Sequence, residues 1–270
     1  MPRFALLLAA VAALAFVAGP LLAAETAAPA APAAPAAKPA DAAKPADAAG
    51  KINVALITGG HKFEEKAFFA MADSLPGITY KHFDAKTAPA LFDDVSAFPY
   101  DTIVIYNYNQ KLTDAQKANF IKVLEKGVGL VVLHHAFAAY PDWPEFVKIS
   151  GVKYYLKAET DAAGVAHARC GFKHDVDFKI HVVDGNHPVT AGVTDFPIHD
   201  ETYIGYTVDP SVHLLLTTDE PSCQKEVGWV KTYGKARVCG LQSGHDGKAY
   251  ASKPFQKLLL QAITWTANKK

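Results

Sequence analysis

The chain has 270 residues, with 27 Lys and Arg against 27 Asp and Glu, and half of its positions are apolar. With no net charge and no run of like charge in its globular part, it excludes nucleic acid and an anionic membrane surface as partners and points to a small molecule. Cys170, Cys223 and Cys239 are spaced too widely for a zinc knuckle, while one disulfide among them is compatible with an oxidising compartment.

Residues 1–24 have the layout of a secretory signal peptide: Arg3, an apolar run over 4–17, then small residues ending in Leu22-Ala23-Ala24. Gly19-Pro20 interrupts the apolar run before it is long enough for a stable membrane span, so the expectation is cleavage and a periplasmic or secreted protein. Residues 25–50 are nearly all Ala, Pro, Lys and Asp, with two copies of KPADAA. A segment without large apolar side chains cannot offset its ordering entropy by burial, so it reads as a disordered, extended linker. Residues 51–270 suffice for one domain with a full core.

Within that domain, residues 52–57 are a continuous apolar run that empties into Thr58-Gly59-Gly60-His61, as expected of a strand buried on both faces. A helix is predicted over 63–74, stopped by Pro76-Gly77, then strands over 78–83 and 102–106. Thr113-x-x-Gln116 is a capping box opening a helix whose inner face is read as Ala118, Ile121 and Leu124, with Phe120 beside Ile121. A fourth strand, 129–133, stops at His134-His135, and a short helix is expected over 143–149. Residues 152–180 have no clear period and read as an irregular insertion or hairpin. Strands follow at 179–183, 202–207, 212–216, 226–233 and 237–241, before an amphipathic helix over 254–267 carrying Phe255, Leu258, Leu259, Ala262 and Ile263 on one face. Strands alternating with helices at this spacing predict an α/β, doubly wound, mostly parallel sheet with helices on both faces.

In such a sheet, ligands bind beyond the carboxyl ends of the strands. Four groups stand at predicted strand ends: Gly59-Gly60-His61 with Glu64 and Glu65, His134-His135, Asp200-Glu201, and Gly244-His245-Asp246. Imidazole beside carboxylate is the chemistry of proton transfer or of metal ligation near neutral pH. Each group also has a structural reading: a turn glycine pair, carboxylates in a helix first turn, a cap or ion-pair partner, a polar turn before the last helix. If both are extended, His134 and His135 point in opposite directions, and His135 is read as the one in the cleft. His82, His167, His174, His181, His199 and His213 are read as surface or local hydrogen-bonding groups, and His187-Pro188 as a rigid bend. Long-range imidazoles and carboxylates suit zinc or a similar divalent metal, without the local spacing of a helix-face site. No G-x-S-x-G, dinucleotide or phosphate loop is present. Tyr106, Tyr108, Trp143, Tyr203 and Tyr206 are candidate platforms for a sugar ring, or core.

The ordered series Ala55-Leu56-Ile57-Thr58-Gly59-Gly60-His61, Gly129 to His135, Trp143-x-x-Phe146, His187-Pro188-Val189-Thr190, Asp200-Glu201-x-Tyr203, Tyr233-Gly234-Lys235 and Gly244-His245-Asp246 resembles the ThuA-like, trehalose-utilisation family. The resemblance implies a flavodoxin-like fold of the class I glutamine amidotransferase kind, with the elbow cysteine replaced by the His134-His135 region. It also implies carbohydrate metabolism, on a trehalose-like disaccharide or a keto-sugar made from it. From the clustering of imidazole and carboxylate at strand ends, His135 and His245 are the proton-transfer candidates. Asp200 and Glu201 join them as catalytic carboxylates, orienting them or holding a metal with His61 and Glu64. Gly60, His61, Glu64, His134, Tyr203 and Asp246 are the expected substrate-binding residues. The rival readings are a metal-dependent hydrolase and a non-catalytic sugar-binding or sensing domain.

Overall fold

A computed structural model describes residues 50–268. The expected leader, and all of the expected linker except Gly50, lie outside the described residues. Among the described residues no helix is long and apolar enough to cross a membrane.

In chain order the first half comprises β1 (Ile52–Gly59), α1 (Glu65–Ser74), β2 (Ile78–Phe83), β3 (Thr102–Asn107), α2 (Asp114–Glu125), β4 (Gly129–Leu133) and α3 (Pro144–Ser150). The second half comprises β5 (Val152–Lys153), β6 (Glu159–Thr160), β7 (Ala166–His167), β8 (Gly171–Val182), β9 (Phe196–Ile204), β10 (Thr207–Val208), β11 (His213–Thr217), β12 (Glu226–Tyr233), β13 (Ala236–Leu241), α4 (Gly247–Ala251) and α5 (Lys253–Ala267). Nine strands form one sheet in the order β2-β1-β3-β4-β13-β12-β11-β8-β9. The first five are parallel neighbours, the flavodoxin-like order, and the remaining four extend the sheet antiparallel.

The parallel half is apolar on both faces because helices cover both. Along β1, Val54 and Leu56 enter a core with Phe68 and Met71 of α1 and Phe255, Leu258 and Leu259 of α5. Ala55 and Ile57 enter the opposite core with Phe120, Val123 and Leu124 of α2 and Phe146 and Ile149 of α3. The antiparallel β8 shows one-faced alternation instead, burying Val176, Phe178 and Ile180.

The capping box forms as read: Thr113 Oγ1 accepts the Gln116 N–H, and the Gln116 side chain accepts that of Thr113. The inner face of α2 departs from its reading. Phe120, Val123 and Leu124 are buried while Ala118 is exposed, so the helix is turned toward the bulkier side chains. Residues 152–180 are more regular than expected. β5 pairs antiparallel with the later β10, and the short β6–β7 hairpin leads into β8, whose twelve residues carry polar side chains on the solvent face and so lack an apolar run. The three cysteines are buried free thiols, so the disulfide that the sequence allows does not form.

Trp229 is completely buried at the centre of β12, with its indole N–H donated to the Ser150 carbonyl at 3.0 Å. The ring lies flat against Gly240 of β13, where a Cβ would approach its carbons to 2.5 Å. Packing therefore requires glycine at that strand position.

Candidate active site

The carboxyl ends of β1, β3, β4 and β13 converge with the middle of β9. The first four follow from the parallel topology. The fifth does not: Asp200 and Glu201 lie inside an antiparallel strand, not at the end of one as expected from the sequence. The early start of β9 was hidden because His199, Asp200 and Glu201 break its apolar pattern.

At the end of β4 the chain does not stay extended. His134 adopts φ 54°, a left-handed conformation uncommon for a residue with a Cβ, and opens a 3-10 turn through Ala138. The premise of alternating directions therefore fails for this pair, and both rings point into the site from full burial.

Three ligand-type atoms form a nearly equilateral triangle. His134 Nε2 lies 3.1 Å from Glu201 Oε2 and 3.2 Å from His245 Nδ1, and His245 Nδ1 lies 3.2 Å from the same Glu201 oxygen. The other carboxylate oxygen of Glu201 is 3.1 Å from His174 Nδ1. His134 Nδ1 sits 2.7 Å from the carbonyl oxygen of Gln242, which can only accept, so that nitrogen carries the proton. The Tyr203 hydroxyl reaches His134 Nε2 at 2.8 Å, and its ring stacks on the imidazole at 4.7 Å.

Across the mouth, His135 donates its Nε2–H to the Tyr106 carbonyl at 3.0 Å, leaving a buried Nδ1 without a hydrogen-bond partner. The exposed His61 ring stacks over it at 4.9 Å, with Tyr108 edge-on to both. His61 and Tyr108 thus form the solvent rim, and His135 and Glu201 the interior.

The electrostatics follow from burial and pairing. Burial pushes the Glu201 carboxyl up, yet the His134 and His245 imidazoles beside it outweigh burial and hold the group well below the usual carboxylate range. Glu201 in turn raises the His245 imidazole against its own burial. Burial first, and then the neighbouring His134, holds His135 well below the ordinary histidine value, so it is neutral.

Of the residues singled out in the sequence, His61, His134, His135, Glu201, Tyr203 and His245 are brought together. Asp200 faces the other way: its oxygens accept the backbone N–H groups of Gly244, His245 and Glu201 at 2.7, 2.9 and 2.9 Å, so it positions the His245 loop. Asp246 caps α4 by accepting from Lys248 and Ala249, and Glu64 accepts from the Gly247 N–H, pinning α1 to the same loop. Gly60 serves the turn. It has φ 76°, and a Cβ there would collide with the Tyr108 carbonyl. Tyr203 is buried against His134, so its ring is closed to a sugar.

Sequence reasoning missed His174, Gln242 and the structural part of Tyr106. His174 reaches Glu201 because β8 bulges between Lys173 and Val176, with Asp175 at φ 55°. Such a bulge re-aims a side chain, and nothing in a polar strand announces it. Tyr106 donates to the Gly244 carbonyl at 2.8 Å beneath the site. A shallow surface hollow on the β8–β9 hairpin, beside Asp177, Lys179 and His199, shares no residue with this cluster, so chemistry and not concavity locates the site.

Solved structures with the same fold include a ThuA-like protein from Parabacteroides merdae. It is 20% identical with a TM-score of 0.67, and the match covers 81% of this chain and 90% of that one. A ThuA-like protein from Bacteroides uniformis is 20% identical with a TM-score of 0.58, covering 85% and 95%. A cytoplasmic protein from Salmonella typhimurium is 12% identical with a TM-score of 0.55, covering 79% and 99%. Among curated proteins none matches the chain. The family model described as trehalose utilisation matches residues 53–266, nearly the whole folded domain, and the chain therefore belongs to the ThuA family.

Proposed function

We propose that this chain is an exported carbohydrate-processing enzyme that performs proton-transfer chemistry, hydrolysis or isomerisation, on a trehalose-like disaccharide or a keto-sugar made from one. The observation that carries the reading is the convergence of His61, His134, His135, His174 and His245 with Glu201 on one mouth at the strand ends. The description of the family supports the substrate class. The leader-like residues 1–24 support export.

In this reading His135 is the base. Its Nε2–H is held by the Tyr106 carbonyl, which leaves the Nδ1 lone pair as its reactive edge. His245, whose protonated form Glu201 favours, donates to the substrate oxygen on which charge develops. His61 and Tyr108, at the rim, meet the sugar first. The test is incubation with trehalose, its oxidised keto forms and related disaccharides, followed by mass spectrometry. Conversion of one of them is expected, falling by about 10²–10⁴-fold in His135→Phe. Binding without any product would replace the enzyme by a sugar-sensing domain, and neither binding nor conversion would end the carbohydrate reading.

A further inference from the structure

The His134 ring carries a contradiction that a metal ion resolves. Its proton belongs to Nδ1, donated to Gln242, so in the neutral ring Nε2 is a lone pair. That lone pair faces the Glu201 carboxylate at 3.1 Å, an acceptor against an acceptor inside a buried site. Tyr203 can donate to Nε2 and His245 Nδ1 can donate to Glu201, but neither removes the His134–Glu201 contact. Either an extra proton or a cation must lie there.

The triangle has the dimensions of a cation site. With edges of 3.1, 3.2 and 3.2 Å, a point about 2.1 Å from all three atoms lies about 1 Å off their plane, and that is the bond length of zinc to imidazole nitrogen and carboxylate oxygen. The edges also fall between those of an octahedron, about 3.0 Å, and a tetrahedron, about 3.4 Å, at that bond length. The surrounding shell has the form such ligands need. The Gln242 carbonyl fixes the His134 tautomer, the Gln242 amide donates to the Glu201 carbonyl at 2.8 Å, and Asp200 holds the His245 backbone.

We propose that His134 Nε2, Glu201 Oε2 and His245 Nδ1 form a three-ligand site for a divalent first-row transition metal, zinc foremost. Two imidazoles and one carboxylate on one triangular face are the donor set of catalytic zinc and of non-haem iron sites. His174, on the far oxygen of Glu201, orients the carboxylate and is not a ligand. The site stands independently of the sugar reading, because metal binding is measured without substrate.

The experiment is to purify the full chain without chelator, determine its metal content, then strip it and titrate with Zn²⁺, Mn²⁺ and Co²⁺ separately by calorimetry. One equivalent is expected, with Zn²⁺ affinity lowered by more than about 100-fold in Glu201→Gln and in His245→Ala, and by about 10-fold in His174→Ala. Because the chain has 11 histidines, His181→Ala serves as a surface control and should leave the stoichiometry unchanged. Circular dichroism and melting of each variant establish that it is folded. Should a ligand variant misfold, the visible spectrum of the Co²⁺-loaded parent reports the coordination directly. No binding of any of the three ions tighter than about 100 μM, or parental affinity in folded His245→Ala, would overturn the site, leaving a protonated His134–Glu201 pair in its place.

Discussion

The carboxylate of Asp200 accepts the backbone N–H of His245 at 2.9 Å, and through it the middle of β9 fixes the loop that follows β13. The same carboxylate takes the Gly244 N–H at 2.7 Å, so two consecutive amides of the site loop depend on one side chain. Burial raises its pKa, opposed by His134 and by the three backbone donors, which favour the charged form.

Asp200→Asn keeps the shape but turns one acceptor oxygen into an amide that faces backbone donors. The expected cost is about 1–3 kcal/mol of stability, the penalty of a buried donor left unpaired. The more specific outcome is faster hydrogen exchange at the Gly244 and His245 amides while exchange in β1 stays at its parental rate. Unchanged protection of those two amides would show that Asp200 does not hold the loop.

Gly240→Ala addresses the core beneath the antiparallel half. The added methyl meets the Trp229 ring at 2.5 Å, and the ring cannot retreat without giving up its hydrogen bond to Ser150. Overpacking of this kind costs about 1–3 kcal/mol, a fall in melting temperature of about 2–10 °C for a domain of this size. Thermal unfolding followed by near-ultraviolet dichroism of the tryptophans checks it. A melting temperature within 1 °C of the parent, allowing for an error of about that size, would mean the ring has room that the packing denies.

His187 predicts a pH dependence. Half-buried against Trp265, it has a pKa lowered to about 4, by burial first and then by His213. The unfolded ring titrates near an ordinary 6.5, so between pH 6.5 and 4 the unfolded state binds more protons than the folded one. Its contribution to stability is fully present above pH 6.5 and is lost as the pH falls to about 4, amounting to about 1–3 kcal/mol after allowance for partial exposure. Denaturant unfolding of the parent and of His187→Phe at pH 7.5 and pH 4.5 measures it. The variant should lose less stability on acidification, and equal losses in the two proteins would refute the assignment.

Local pattern was enough to find β1, the capped α2, β4 and the inner face of α5, because each is written in a period of one element or in a contiguous buried run. The same logic found His61, His135 and His245, which stand where a parallel sheet delivers its loops. The opposite directions expected of His134 and His135 were wrong because a left-handed residue at a strand end breaks the alternation on which that reading rested.

By itself the sequence determined the α/β class, the apolar strands covered on both faces, and the concentration of imidazole and carboxylate at strand ends, all properties of near neighbours in the chain. Only the tertiary structure decided which of those groups meet. The antiparallel pairing of β8 with β9, with its bulge at His174 and Asp175, carries Glu201 to the mouth of a parallel sheet 67 residues earlier in the chain, at His134. No local period encodes that distance. It follows from the register of strands that are paired across the sheet, and a one-residue slip would have turned Glu201 to the other face.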